Sequence, residues 1–308
     1  MKIIVTGGAG FIGSNLTDKL IESGHQVVVI DNLTTGFEKF INPHAKFYLA
    51  DIRDGAVIDK IFKMEKPDIV DHHAAQIDVR KSVDTPVYDA ECNILGSINL
   101  IKSSLDHKVK KFIYISTGGA VYGEPQNNPV SETHPVNPEC QYGISKHTVE
   151  HYLYLYRLHY GLTYTVLRYP NVYGPRQNPQ GEAGVNAIFI HQMLSGKTPQ
   201  IFGDGEQLRD YVFIDDIVSA NLIAMEKGDN DIFNIGSCIG TSVNEIYHQL
   251  KEILSFPHEP EYAPARTGEI NRIYLDASKA KEKMDWECRV SFREGLNKTV
   301  EWHRQQID

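Results

Sequence analysis

The stretch that most constrains this chain is its beginning, MKIIVTGGAGFIG. Lys2 to Thr6 is a short, β-branched apolar run of the kind buried in a parallel sheet. Glycines follow at once. Gly8, Gly10 and Gly13 keep G-x-G-x-x-G spacing, and Gly7, Gly10 and Gly13 keep G-x-x-G-x-x-G spacing. Glycines so placed make a tight turn, let backbone approach a pyrophosphate, and let the next helix pack close to the strand. A helix from about Phe11 to Ser23 then turns its unpaired N–H groups and positive dipole end toward the phosphates. Glycine spacing alone is weak, because an ordinary βαβ turn also uses glycine. The context strengthens it. A second strand, Gln26 to Ile30, ends in Asp31, eighteen residues past Gly13. A dinucleotide fold puts there the carboxylate that accepts the adenosine ribose hydroxyls.

Strands and helices alternate beyond this unit. Phe47 to Ala50, Ile69 to His72, Lys111 to Ser116 and Thr163 to Leu167 read as further strands. Asp54 to Met64, Pro86 to Leu105 and Gln141 to Tyr160 read as the helices between them. This alternation predicts an α/β fold, a Rossmann-type doubly wound parallel sheet whose strand ends line one ligand-binding edge. The second half is less regular. Pro170 to Gly184 reads as a long ordered loop, a kind more often functional than not. Helices are expected at Val185 to Ser195, from Asp215, and at Val243 to Ile253, Ser278 to Met284 and Phe292 to Gln305. Strands are expected at Arg209 to Phe213 and Ile232 to Ile235. The expected organisation is a dinucleotide-binding domain over 1–169 and a smaller C-terminal α/β substrate lobe over 170–308, partly interleaved.

A net charge of −9 disfavours nucleic acid and anionic membranes as partners. The four cysteines form no C-x-x-C pair and read as reduced thiols of a cytoplasmic protein. No apolar run approaches membrane-spanning length. The chain starts directly in a strand, without a signal peptide. No metal-ligand spacing is present, so no metal is expected.

The second chemical signal is Tyr142-Gly-Ile-Ser-Lys146. Residues four apart share a helix face. A lysine ammonium beside a phenol favours the phenolate, and a positive nicotinamide ring would favour it further. Tyr142 is then a general base for work near neutral pH. Y-x-x-x-K also arises by chance on surface helices, and the preceding βα units give it its weight here.

These residues carry a family resemblance. The chain resembles the extended short-chain dehydrogenase/reductases and, within them, the UDP-glucose (UDP-galactose) 4-epimerase branch. The motifs are TGGAGFIGSNL, DNLTTG, HHAAQ, ISTGGAVYG, YGISK, LRYPNVYGPRQ, IFGDGEQLRDYVFIDD and ARTGEINRIYLDASKA, spread over essentially the whole length. The resemblance implies NAD as cofactor. Gly7, Gly10, Phe11, Ile12 and Gly13 would hold its pyrophosphate. Asp31 would take the ribose, with Asn32, Thr35 and Gly36 beside it. Asp51 and Ile52 would meet the adenine, and Ala74, Ala75 and Asn93 would lie along the cofactor. Tyr142 and Lys146 would contact the nicotinamide ribose, with Pro170 and Val172 flanking the ring. Asn171, Arg209, Arg266 and Glu269 would hold a UDP-hexose substrate. Ile273 would stand where residue size decides whether N-acetylated sugars enter. The arginines also fit bottom-up, since a diphosphate in an acidic protein needs planar donor forks. A salt bridge is the usual fate of an isolated arginine.

The implied activity is inversion at C4 through a transient 4-keto sugar. UDP-GlcNAc or UDP-uronate epimerisation and related nucleotide-sugar redox chemistry are the rivals, with a non-catalytic dinucleotide sensor as the rival of another class. One departure stands out. Gly118 occupies the position of the usual catalytic serine, leaving Ser116 and Thr117 as the nearby hydroxyls. Alternation along a strand lets only one face the sugar, and Thr117, just past the strand, is the favoured one. Thr117 is followed by Gly118 and Gly119, so the Asp-Glu of the nucleotide-sugar dehydratases is missing. The family further implies a homodimer, paired through the helix of Cys92, Leu95, Ile98 and Leu105 and the tyrosine-rich helix after Lys146.

Overall fold

The computed structural model describes residues 1–180, 184–265 and 270–307. Among the described residues, one parallel sheet has seven strands. Six are β1 (Lys2–Thr6), β2 (Gln26–Asp31), β3 (Lys46–Leu49), β4 (Ile69–His72), β5 (Lys111–Thr117) and β6 (Tyr164–Tyr169). The order is β3-β2-β1-β4-β5-β6, with the strand Asp231–Asn234 added beside β6. The order reverses between β1 and β4, and this switch point is where doubly wound sheets bind ligands.

Helices cover both faces. Ile4 of β1 packs with Ile58 and Phe62 of α2 (Gly55–Glu65), Leu100 of α5 (Gly96–Asp106), and Val149 and Leu153 of α6 (Gln141–Tyr160). Ile3 and Val5 face the other way, toward Leu16 and Leu20 of α1 (Phe11–Glu22) and Ile217 of α8 (Ile214–Ala224). A strand buried on both faces reads as a continuous apolar run. Each such side chain contributes about 1.5–3 kcal/mol by burial.

Several boundaries differ from expectation, each for a local reason. β5 continues through Thr117, because Ser116 and Thr117 still pair with Arg168 and Tyr169. Residues 86–105 do not form one uniform helix. α4 (Pro86–Ala90) runs into a wide turn at Glu91–Leu95 before α5. There the Asn93 carbonyl accepts the Ser97 hydroxyl (2.6 Å), and the Asn93 carboxamide turns inward. A short helix, α3 (Val79–Asp84), is capped by Asp78, whose carboxylate accepts the Lys81 N–H.

The stretch after Pro170 opens as a strand, β7 (Asn171–Tyr173). Beyond it, Arg176 ion-pairs with Asp18 (2.5 Å) and Asn15 donates to the Pro175 carbonyl, which fastens the segment to α1. The helix α7 is Val185–Leu194 and the strand β8 is Gln200–Phe202. The expected strand at 209–213 is two strands, β9 (Leu208–Arg209) and β10 (Tyr211–Phe213). They break at Asp210, whose carbonyl accepts the Asn171 N–H while its carboxylate turns inward. β10 pairs with β7, and β11 (Asp231–Asn234) returns the chain to the main sheet. The short strands β12 (Thr241–Ser242) and β14 (Arg272–Ile273) flank β9, and β13 (Glu261–Ala263) pairs with β8. Two- and three-residue strands carry too little pattern to read from sequence. Among the described residues, no helix is long and apolar enough to cross a membrane.

Candidate active site

The glycine turn fits a dinucleotide. Gly7 has φ +69°, and a Cβ there would press on the Ala74 amide at 2.8 Å. A Cβ at Gly13 would overlap the Gly7 carbonyl, so α1 can start against the turn only with glycine there. Gly10 precedes α1 and caps it with no side chain, so the N–H groups of Phe11 and Ile12 stay available to an anion. Both Asp31 oxygens already accept backbone N–H groups, from Ala9 (3.0 Å) and Leu33 (2.8 Å). Burial nonetheless raises its pKa above the ordinary value, with the two amides opposing. Gly36 packs on Ala9 at the same turn.

At the far end of the cleft, Asp51 is gripped by Arg53 (2.7 and 3.0 Å) and receives the Asn32 amide (3.0 Å). The Arg53 guanidinium holds this carboxyl well below the usual range. Ile52 is buried on Gly96, where a Cβ would meet it at 2.7 Å. Asn93 is 1% exposed. Its carboxamide is spent on the Gln76 backbone, Asp89 and Ser145, which places it in the wall behind the cleft. Ala74 donates its N–H to Thr6.

Tyr142 and Lys146 stand one turn apart on α6. The first turn of α6 is pinned: the Tyr142 N–H donates to Ser82 Oγ (3.2 Å), and its carbonyl accepts Ser145 Oγ (3.0 Å). The Lys146 ammonium is buried over the Tyr114 ring at 4.7 Å. Burial lowers its pKa to about 7, against the opposing pull of Asp89 and Glu150. Burial pushes the Tyr142 phenol above its ordinary range, with Cys140 and Asp89 adding to it. This corrects the expectation of a phenol acidified by the protein alone. Desolvation outweighs the lysine, whose ammonium rests on Tyr114.

Ser116 and Thr117 are separated as strand alternation requires. Ser116 Oγ donates to Glu150 (2.6 Å), which also binds Arg168 (2.9 and 2.5 Å). The Thr117 hydroxyl has no hydrogen-bond partner among the described residues. A methyl at Gly119 would lie 3.7 Å from Asn171 Oδ1 and 3.9 Å from Thr117 Oγ1, so the three meet at one point. A cavity there is lined by Gly118, Gly119, Pro170, Asn171, Arg209, Asp210, Ile273 and Leu275. Four residues expected at the sugar or nicotinamide (Pro170, Asn171, Arg209 and Ile273) are thus brought together. Arg209 also donates to the Leu208 carbonyl (2.9 Å). Arg266 and Glu269 lie outside the described residues.

Sequence reasoning missed three contributors to the site and one buried, unpartnered carboxamide. Leu275 fills the space above Gly118, where any Cβ would overlap its side chain. Asp210 receives the Ser237 and Leu275 amides, and burial raises its pKa to about 6. Asp89, 1% exposed, accepts from Gln76 and Asn93. Asn186, in the first turn of α7, is 1% exposed with neither carboxamide atom partnered among the described residues. None belongs to a spacing rule. Only the fold shows what each one faces.

Comparison with known proteins identifies the family. The profile of the NAD dependent epimerase/dehydratase family matches residues 3–236. A UDP-glucose 4-epimerase of Thermotoga maritima, solved with UDP-glucose, is 52% identical over 100% of both chains, with a TM-score of 0.99. A Thermus thermophilus UDP-glucose 4-epimerase solved with NAD is 39% identical over 99% of each chain, with a TM-score of 0.94. A UDP-glucose 4-epimerase of Mycolicibacterium smegmatis is 42% identical over 99% of each chain. With a profile match over most of its length and such relatives, this chain belongs to the NAD-dependent epimerase/dehydratase family.

Proposed function

We propose that this chain is an NAD-dependent epimerase that inverts C4 of a UDP-hexose, with UDP-glucose and UDP-galactose as its main pair. The observation that carries this reading is the cavity lined by Gly119, Asn171, Arg209 and Ile273, with the Thr117 hydroxyl beside Gly119, at the carboxyl ends of a sheet opened by a dinucleotide turn. When bound, NAD supplies the hydride acceptor and returns the hydride, so no second substrate is consumed. The residues provide the rest. Gly7, Gly10, Phe11, Ile12 and Gly13 cradle the pyrophosphate, and Asp31 selects an unphosphorylated ribose with Asn32, Thr35 and Gly36 beside it. Asp51 and Ile52 bound the adenine. Ala74 and Ala75 line the path to Pro170 and Val172 at the nicotinamide, and Asn93 stiffens the wall.

Tyr142 takes the O4 proton as general base and gives it back after the sugar has turned over. Lys146 would contact the nicotinamide ribose, and the positive ring of bound NAD would supply the charge that favours the phenolate. Thr117 donates to O4 as charge develops, while Ser116 holds Glu150 in place. Arg209, with Asn171, anchors UDP while the 4-keto sugar presents its other face. Arg266 and Glu269 join them by resemblance alone. Ile273, buried with Leu275 and Val121, sets the room at the sugar.

The lobes divide near residue 170, with β11 interleaved. The protein is read as cytoplasmic, in keeping with four free cysteines. Exposed Leu95 on the wide turn, with exposed Ile144, Leu155 and Leu158 on α6, supports a homodimer paired through these helices. The test is to incubate the protein separately with UDP-glucose, UDP-GlcNAc and UDP-glucuronate and analyse the sugars. Inversion of UDP-glucose should dominate. Inversion of none, with NAD bound, would leave a dinucleotide sensor.

A further inference from the structure

Tyr122 and Asn234 take no part in the chemistry above, yet both are buried in the middle of one hydrogen-bonded chain. The chain starts on α6, where Arg168 of β6 grips Glu150 through Nε and Nη2 (2.9 and 2.5 Å). Arg168 Nη1 donates to the Tyr122 hydroxyl (2.8 Å), which in turn donates to Asn234 Oδ1 (2.7 Å). Asn234 Nδ2 donates to the Val130 carbonyl (2.8 Å). A guanidinium only donates, so the Tyr122 proton is left for Asn234 Oδ1, and the amide end of Asn234 faces Val130. Each link orients the next.

Val130 is half of a clasp. Its N–H donates to the Tyr274 carbonyl and its carbonyl accepts the Asp276 N–H, both at 2.8 Å. Asn128 adds to it, accepting the Tyr274 N–H (3.0 Å) and donating to the Arg272 carbonyl (3.2 Å). From the other side, the Asp210 carboxylate accepts the Leu275 N–H (3.0 Å). The clasped segment, 272–276, carries Ile273 and Leu275, which line the sugar cavity.

We propose that Asn234, oriented by Tyr122, is a positioning residue that fixes how closely Ile273 and Leu275 stand over the sugar, and so sets the choice between plain and N-acetylated UDP-hexoses. This rests on the reading of that cavity as the sugar site. Asn234 and Tyr122 are not part of the cavity lining, so they act on the sugar only through the clasp. The buried Val130 carbonyl has two lone pairs and two donors, Asn234 Nδ2 and the Asp276 N–H. Without the carboxamide, one lone pair is stranded and the clasp loses its tie to α6. A close-packed segment transmits such a shift to the side chains it carries.

The test compares kcat/KM for UDP-glucose and UDP-GlcNAc in the unmodified protein, Asn234→Ala and Tyr122→Phe. The ratio of UDP-GlcNAc to UDP-glucose activity should rise by roughly 2- to 30-fold in Asn234→Ala, the size of effects carried by packed networks. It should rise less in Tyr122→Phe, which keeps the ring and carries the same comparison if Asn234→Ala does not fold. Loss of folded protein lowers both activities together, so the ratio separates positioning from stability. Hydrogen exchange gives a readout without substrate: the Val130 and Asp276 amides should exchange faster in the variants, and those of β1 should not. An unchanged or lower ratio, or unchanged exchange at Val130 and Asp276, would overturn the proposal while leaving the epimerase reading intact. Inversion of neither sugar by the unmodified protein would overturn that reading, and the specificity role with it.

Discussion

Ser116 Oγ donates to Glu150 Oε1 at 2.6 Å, inside a buried cluster that also holds Arg168 and His147. That bond spends the Ser116 hydroxyl on Glu150, and in the proposed reaction the partner of O4 is then Thr117. A good hydrogen bond to developing charge is worth up to ~3 kcal/mol, about a hundredfold in rate. Thr117→Val should therefore depress kcat by about that factor with KM little changed. Ser116→Ala should lower the melting temperature more than kcat. Steady-state kinetics and thermal melts on both variants check this, and the reverse order would return the role to Ser116.

Leu275 occupies the space that a side chain at 118 would take. Gly118→Ser would overlap the Leu275 side chain. The variant should be destabilised by about 1–3 kcal/mol, as for overpacking in other cores. Leu275→Ala should recover part of this in the double variant. Denaturant melts of the two single variants and the double measure the coupling, and simple additivity would contradict the contact.

Lys146 is kept at a cost. Its folded pKa of about 7 lies below the usual lysine value, so the unfolded chain binds the proton more tightly. In the cofactor-free protein the penalty is full below pH 7 and fades as pH rises from 7 toward the unfolded value. Lys146→Met should be inactive yet more stable than the parent at pH 6, with the gap closing by about pH 10. Melting curves across that range decide it, and a gap that widens with pH would refute the burial argument.

Glu150 has the opposite sign. Burial raises its pKa, but Arg168, His147 and Ser116 outweigh that and hold it at about 2, below its ordinary 4.5. Its contribution is full above pH 4.5 and lost as pH falls toward 2. Glu150→Gln should cost about 3–5 kcal/mol near neutral pH by stranding Arg168, and less below pH 4. Urea melts at several pH values would expose a flat difference if the pair does not act this way.

The sequence spoke most clearly where periodicity and glycine spacing coincide. β1, the glycine turn, Asp31 and the Tyr142–Lys146 face were legible because each follows from a repeat or an offset along one element. The sugar side was less so. β9 and β14 are two residues long, and Gly118 meets Leu275 across more than 150 positions of chain. The placement of Tyr142 was legible, and its electrostatics were not. A sequence shows that Tyr142 and Lys146 share a face, but not that the Lys146 ammonium rests over Tyr114. Asn186 and Asp89 are ordinary letters in their helices, and only burial distinguishes them.

In the proposed cycle the C4 hydrogen leaves and returns on one enzyme while Tyr142 handles only the O4 proton. Proton NMR of UDP-galactose incubated with the protein in D₂O tests this directly. Conversion to UDP-glucose is expected with the C4 hydrogen retained, no added reductant, and a loss of at least ~100-fold in Tyr142→Phe with NAD still bound. Deuterium at C4 of the product, or undiminished conversion by Tyr142→Phe, would contradict it.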